Sequence, residues 1–233
     1  MKSVSNFLEN KTFRKILFSL IGVFFILHFL ATAINNVTNN TGHYKKFSKE
    51  NNIKDYVGVS QDKLEEIYTK LIVYIDTGNV NFLNDFNERE KSHMEDVHNL
   101  YKIVKYLSGS IFSTMLLTYI LFREKSLKKY QNLKYLSNSI IFIIIFLSII
   151  SLYIYLNFDK AFIQFHQIFF NNDLWILDPK TDIMIRMLPQ EFFMLMAYKI
   201  FIQFIMILVG FMFTLIIYFM FNKDLKELDR LIK

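Results

Sequence analysis

Four apolar blocks of similar length, separated by polar stretches, restrict this chain more than any other feature of its sequence. They run at about 16–34, 104–122, 136–156 and 194–221. Each is close to the ~20 residues that cross ~30 Å of hydrocarbon. Backbone N–H and C=O groups inside a bilayer must be satisfied within their own segment, so such blocks fold as spanning helices. At 53% hydrophobic and 17% aromatic residues, the chain is richer in apolar side chains than a soluble domain of about 45–50%. With four spans removed from 233 residues, little remains for a separate soluble domain. The expected fold is an all-α membrane protein: one membrane domain, 1–233, with four transmembrane helices and an outer-face cap of short amphipathic helices. The first block follows Lys11, Arg14 and Lys15 and so resembles a signal peptide. Its span length, the lack of a small-residue cleavage site and its end at Asn35-Asn36 favour an uncleaved helix.

Orientation follows from the charges beside the blocks. Lys2, Lys11, Arg14 and Lys15 face only Glu9 before the first block. Arg123, Lys125, Lys128, Lys129 and Lys134 face only Glu124 between the second and third, and Lys223, Lys226, Arg230 and Lys233 follow the fourth. The connections 35–103 and 157–193 are balanced or slightly acidic. Positive residues stay on the cytoplasmic side, which places both termini inside and both connections outside. The net charge of +6 therefore points to anionic lipid and not to nucleic acid.

The first outer connection carries helix signals. Ser60 is an N-cap followed by Asp62. Leu64, Ile67, Tyr68, Leu71, Ile72 and Ile75 recur at helical spacing, and Gly78 ends the run. Lys63, Glu66 and Lys70 lie on the other face, so the helix packs on protein or in the lipid interface. A second helix begins at Asn87 with Glu90 as its capping-box partner, and its expected course is straight into the second span. In the second connection, Asp159 is the expected cap of a short helix bearing Phe162, Phe165, His166, Phe169 and Phe170. Trp175, the only Trp, follows at expected headgroup depth. Asp178-Pro179 signals a turn, and Pro189 suits the first turn of the last helix.

The absence of Cys removes thiol nucleophiles, disulfides and thiolate metal sites. No G-x-S-x-G, H-E-x-x-H, P-loop or dinucleotide fingerprint occurs. What remains is a polar set on the outer connections: His93, Asp96, His166, Asn172, Asp173, Asp178, Asp182 and Arg186. His93 and Asp96 share a helix face, where a carboxylate can fix an imidazole tautomer; a solvated surface pair is the plainer reading. His166 stands among four Phe residues, where burial favours the neutral imidazole that a general base requires; an interfacial histidine reaching for headgroups is the alternative. His28, within the first block, joins a proton relay or bonds a neighbouring helix backbone, the second being favoured. Arg186 binds a phosphate or carbonyl oxygen, or anchors its loop to headgroups. His43 and His98 have no distinctive setting.

The stretch from His166-Gln167-Ile168-Phe169-Phe170 through Asn171-Asn172-Asp173-Leu174-Trp175, then Leu177-Asp178-Pro179-Lys180-Thr181-Asp182, Met187-Leu188-Pro189 and Phe192-Phe193, resembles the lipoprotein intramolecular transacylase family, a group of small bacterial membrane proteins. Tyr68-Thr69-Lys70-Leu71-Ile72-Val73-Tyr74 and Glu90-Lys91-Ser92-His93-Met94-Glu95-Asp96-Val97 resemble its other signature. His98 stands where a Lys is expected after Asp-Val. The resemblance covers nearly the whole chain. It implies transfer of the sn-2 acyl chain of a diacylglyceryl-cysteine lipoprotein to the N-terminal cysteine amine, giving lyso-form lipoprotein. The two family histidines fall on His166 and His93. On this reading His166 is the base, His93 the second histidine, and Asp96 the partner of His93. Asn172, Asp173, Trp175 and Arg186 bind or orient substrate. The implied partners are diacylated lipoproteins and membrane lipid, in a bacterial cell membrane with the site on its outer face, and neither cofactor nor metal is required. The substrate brings its own nucleophile, an amine with pKa near ~8, which fits a chain without Cys. Two other classes stay open: a metal-dependent membrane hydrolase with His93, Asp96, His166 and Asp173 as ligands, and a non-enzymatic sensor or accessory subunit whose outer loops bind a partner.

Overall fold

The computed structural model describes residues 10–123 and 126–221. Several charges that set the expected orientation lie outside the described residues: Lys2, Glu9, Glu124, Lys125, Lys223, Lys226, Arg230 and Lys233. The described chain is helical: α1 (Lys11–Asn39), α2 (Gly42–Glu50), α3 (Ile53–Val57), α4 (Gln61–Thr77), a 3-10 turn (Val80–Leu83), α5 (Glu88–Gly109), α6 (Ile111–Arg123), α7 (Ser126–Leu156), α8 (Phe158–Phe169), α9 (Ile183–Met187) and α10 (Gln190–Phe221). It divides into two compact units. One takes the chain up to Thr32, Leu107–Leu152 and the chain from Phe204 on; the other takes Ala33–Tyr106 and Tyr153–Gln203.

The first unit is built on apolar helices. Among the described residues, α1, Tyr130–Leu156 of α7 and Gln190–Tyr218 of α10 are long and apolar enough to cross a membrane. In the most apolar stretch of α1 half the residues are buried, against 6% in α7 and 11% in α10. So α1 packs inward while α7 and α10 turn apolar side chains outward, an arrangement that suits hydrocarbon surroundings. Phe25 and Phe29 lie 5.1 and 5.0 Å from the ring of Phe211. Gly22 sits under Ser139, where a Cβ would come within 2.1 Å of Oγ. The buried Arg14 donates Nε and Nη2 to Asn132 Oδ1 at 3.0 and 2.6 Å.

The helix expected to run unbroken from Asn87 through the second span is interrupted. It stops at Gly109 and resumes as α6 at Ile111. The Leu107 carbonyl accepts from the Ser110 backbone N–H at 3.3 Å, three residues on, and from Ser110 Oγ and His28 Nδ1 at 2.5 and 2.8 Å. These donors draw that carbonyl out of the regular ladder, and Gly109 weakens the helix at the same point. His28 thus bonds a neighbouring backbone carbonyl, the plainer of its two readings.

The second unit buries its apolar residues. The stripe read from periodicity in α4 is the buried one: Leu64, Ile67, Tyr68, Leu71, Ile72 and Ile75. Ser60 caps α4 by accepting from the Lys63 N–H at 3.3 Å, and Gly78 ends it at φ +72°, where a side chain would be strained. Tyr44 stacks on Tyr68 at 3.9 Å, Phe192 stands edge-on to both, and Tyr44 Oη donates to the Met187 carbonyl at 3.1 Å. At α8 the cap position belongs to Asn157, which makes no side-chain cap. Asp159, expected as the cap, lies inside the first turn and accepts from Gln190 Nε2 at 2.7 Å. An acid there still complements the positive helix end.

Candidate active site

The site lies within the second unit and starts from the first turn of α5. Asn87 Oδ1 accepts from the Glu90 N–H at 3.0 Å, and Glu90 Oε2 accepts from the Asn87 N–H at 2.8 Å, the capping box expected from sequence. Glu90 then does more. Its Oε1 accepts from the Met184 N–H at 2.6 Å, at the start of α9. One carboxyl group, 1% exposed, therefore serves two helix N-termini, which suit an anion. Burial pushes its pKa up, and the N–H groups of Met184 and Asn87 oppose that rise. Beside it, Asn87 Nδ2 donates to Asp182 Oδ1 at 2.8 Å, and Asp182 also accepts from the Asp178 N–H and Thr181 Oγ1. This clamp ties the segment 178–187 to the turn of α5 that precedes His93.

His166 comes from the last turn of α8. Its Nδ1 lies 2.7 Å from the Phe162 carbonyl. A carbonyl only accepts, so the proton sits on Nδ1 and Nε2 is left with its lone pair. The ring is enclosed by Phe162, Trp175, Phe165 and Phe170, at centroid distances of 4.5, 4.8, 5.4 and 5.5 Å. The His93 ring lies 6.0 Å from that of His166 at 32°, and Phe170 stands edge-on to His93 at 5.3 Å. Both imidazoles are buried, at 7 and 8% exposure. His93 Nδ1 is, among the described residues, the one buried side-chain nitrogen or oxygen without a hydrogen-bond partner.

This setting favours neutral rings. Burial, then the neighbouring His166, lowers the His93 pKa to about 4, with Asp96 opposing weakly. Burial also lowers that of His166, while its bond to the Phe162 carbonyl works the other way. Each lowers the other's tendency to become imidazolium, so two imidazoles this close do not readily both become cations. A neutral imidazole with a fixed tautomer, beside a second one, can take up and return a single proton.

The remaining expected site residues distribute as follows. Asp96 does not bond His93; it accepts from Asn172 Nδ2 at 2.9 Å, because Asn172 follows Phe170 back across α5. Trp175 packs on His166 as described. The Asp173 carbonyl accepts from Arg89 Nη2 at 2.7 Å. Arg186 turns back along its own chain and donates Nε to the Asp182 carbonyl at 3.3 Å. His98 donates Nδ1 to the Ile75 carbonyl at 2.8 Å and so closes the end of α4. The four-residue metal set of His93, Asp96, His166 and Asp173 does not assemble: no group of three or more potential ligands occurs among the described residues. Sequence reasoning found the histidines but missed the reach of Glu90 and Asp182. The capping box was visible in the sequence; its second partner lies 94 residues away and left no local signal.

These features define a helical protein with helices long and apolar enough to cross a membrane and a buried histidine pair in its second unit. The chain belongs to the lipoprotein intramolecular transacylase family, whose model, Lipoprotein intramolecular transacylase Lit, matches residues 19–193, a stretch containing both histidines. Its members are enzymes. The structure is similar to that of the membrane-integral lipoprotein intramolecular transacylase Lit from Bacillus cereus, with 26% identity, a TM-score of 0.73, and coverage of 93% of this chain and 98% of that one. Two structures of the Bacillus cereus protein with one histidine replaced, by arginine or by alanine, match at 26% identity and a TM-score of 0.68. They cover 94 and 93% of this chain and 95 and 96% of theirs. No protein among the curated ones matches.

Proposed function

We propose that this enzyme moves the sn-2 acyl chain of a diacylglyceryl-cysteine lipoprotein to the α-amine of its N-terminal cysteine, leaving lyso-form lipoprotein. The observation that carries the reading is the buried, uncharged histidine pair in which His166 keeps Nε2 free as a base. The amine nitrogen attacks the sn-2 ester carbonyl. His166 Nε2 takes the amine proton and gives it to the glycerol oxygen as the C–O bond breaks. His93, 6.0 Å away by ring centroid, shares the proton or orients the substrate. Asn172, Asp173 and Trp175 border the substrate, and Arg186 supports the segment clamped to α5. Amine and ester belong to one molecule, and such proximity is worth ~7–11 kcal/mol in favourable cases.

Charge placement supports a four-span chain: α1, α5 with α6, α7 and α10 cross the membrane, both termini are cytoplasmic, and the second unit forms a cap on the outer face beside the lipid-anchored substrate. The substrates are diacylated lipoproteins held in that leaflet. The test is mass spectrometry of a lipoprotein N-terminus from cells with and without this protein. The expected change is an sn-2 ester chain lost and an amide chain gained at equal total mass. An unchanged diacyl form with a free amine would contradict the reading.

A further inference from the structure

Several carboxylates of the second unit are ion-paired. Glu65 is held by Lys45 and Lys49 at 3.3 and 3.2 Å, Asp85 by Lys63 at 3.1 Å, and Asp76 by Lys105 at 2.8 Å. Asp96, like Asp159 and Asp182, is held by a neutral amide, from Asn172 at 2.9 Å, and takes no ion pair among the described residues; of these three it is the one whose charge acts on His93. An amide donor orients a carboxylate without cancelling its charge. Asp96 lies one turn beyond His93 on α5. Asn172 comes two residues after Phe170, whose ring is 5.3 Å from His93 and 5.5 Å from His166. The negative charge of Asp96 is felt at His93, where it favours the proton. Both imidazoles are buried and neutral, and Arg89 is engaged with the Asp173 carbonyl. An oriented, uncompensated carboxylate at the edge of such a pair lacks a cation.

We propose that Asp96 is the binding residue for the α-ammonium of the substrate's N-terminal cysteine, and so selects lipoproteins whose amine is free. The proposal rests on the transacylase reading. At neutral pH an α-amine with pKa near ~8 is mostly protonated, so the substrate arrives as a cation. Asp96 accepts from it through the carboxylate oxygen that Asn172 does not use. Of the three ammonium protons, one leaves to solvent as the nucleophile forms. A second goes through His166 to the glycerol oxygen when the C–O bond breaks, and the third stays on the amide nitrogen. The new C–N bond makes an amide, which carries no charge. The product therefore loses its hold on Asp96, which separates substrate from product.

Binding of two unreactive probes tests this: dialkylglyceryl-cysteine peptides with an ether at sn-2, one with a free α-amine and one N-acetylated, each titrated at pH 6.5 onto the full-length enzyme in detergent. The wild type is expected to bind the free amine about tenfold more tightly than the acetylated probe, the range of one charge-assisted contact. Asp96→Asn keeps an acceptor for Asn172 and is expected to remove that preference while binding the acetylated probe as the wild type does. No preference in the wild type, a preference that survives in Asp96→Asn, or equal weakening of both probes would overturn the proposal. A parallel assay with the sn-2 ester peptide tests the underlying reading separately, because a wild type that forms no amide counts against the transacylase activity itself.

Discussion

The two units use the same kinds of apolar side chain in opposite ways. In the first unit, α7 and α10 carry Phe142, Ile145, Ile149, Val209 and Phe213 on the outside, and α1 supplies most of the interior. In the second, Leu64, Ile67, Tyr68, Leu71 and Met187 are buried, and many polar residues are tied by ion pairs, the Glu90 clamp and the Tyr44 bond to Met187. The difference teaches where specificity lies. The first unit needs surroundings that accept apolar surface and tolerates many side chains there. The second is a packed and hydrogen-bonded unit, and only such a unit can hold two imidazoles at a fixed distance.

Substitutions in the second unit should therefore cost far more than those on the outside of the first. Glu90→Ala strands the N–H groups of Met184 and Asn87. At about 1–3 kcal/mol for each buried unmade bond, a loss of roughly 2–6 kcal/mol is expected, with activity falling as the clamp opens; thermal unfolding in detergent reads the stability. Glu90→Gln, which keeps one acceptor, should lose less. If both variants matched the wild type, the clamp would have no part in holding α9 to α5.

Leu64, with 0% exposure, comes next. Leu64→Ala should cost about 2–5 kcal/mol by transfer and cavity terms. Comparison with Phe142→Ala sharpens the contrast, because Phe142 is 72% exposed and in detergent its loss should lie within about 0.5 kcal/mol. Equal losses at the two positions would break the distinction between the units.

Acid should act on the second unit through the histidines. The His93 pKa lies at about 4 in the folded protein, against ~6.5 in an unfolded chain. In that interval the unfolded chain binds the proton and the folded one does not, so stability present above pH 6.5 is lost as pH falls toward 4, by roughly 3 kcal/mol. His93→Gln should flatten this dependence between pH 7 and 4.5. The same direction of shift at His166 keeps its base form to lower pH than a free imidazole, so the fall in activity below neutral pH should follow protonation of the substrate amine, about tenfold per pH unit below its pKa of ~8, and not protonation of His166.

How legible each feature was follows from its range in sequence. The α4 core stripe, its Ser60 and Gly78 ends, and the Asn87–Glu90 box repeat over three or four residues, and each stands where expected. His166 among phenylalanines was visible because α8 puts Phe162 one turn before it. The break at Gly109-Ser110 was not, because it depends on His28 reaching the Leu107 carbonyl from 79 residues away. For the same reason Asp96 was assigned to His93, its neighbour on the helix, when its partner is Asn172, 76 residues distant. Spacing gives faces; it does not give the donor that arrives from another helix.

On the proposed mechanism the histidine pair moves the proton of an intramolecular acyl transfer. The direct measurement is a reconstituted assay with a synthetic diacylglyceryl-cysteine lipopeptide whose sn-2 chain is labelled, followed from ester to amide for wild type, His166→Ala and His166→Asn at equal membrane content. Removing a general acid–base typically costs ~10²–10⁴-fold in rate. Both variants are predicted to lose activity on that scale, because neither side chain accepts a proton near neutral pH. Amide formation by His166→Ala at close to the wild-type rate would contradict the account.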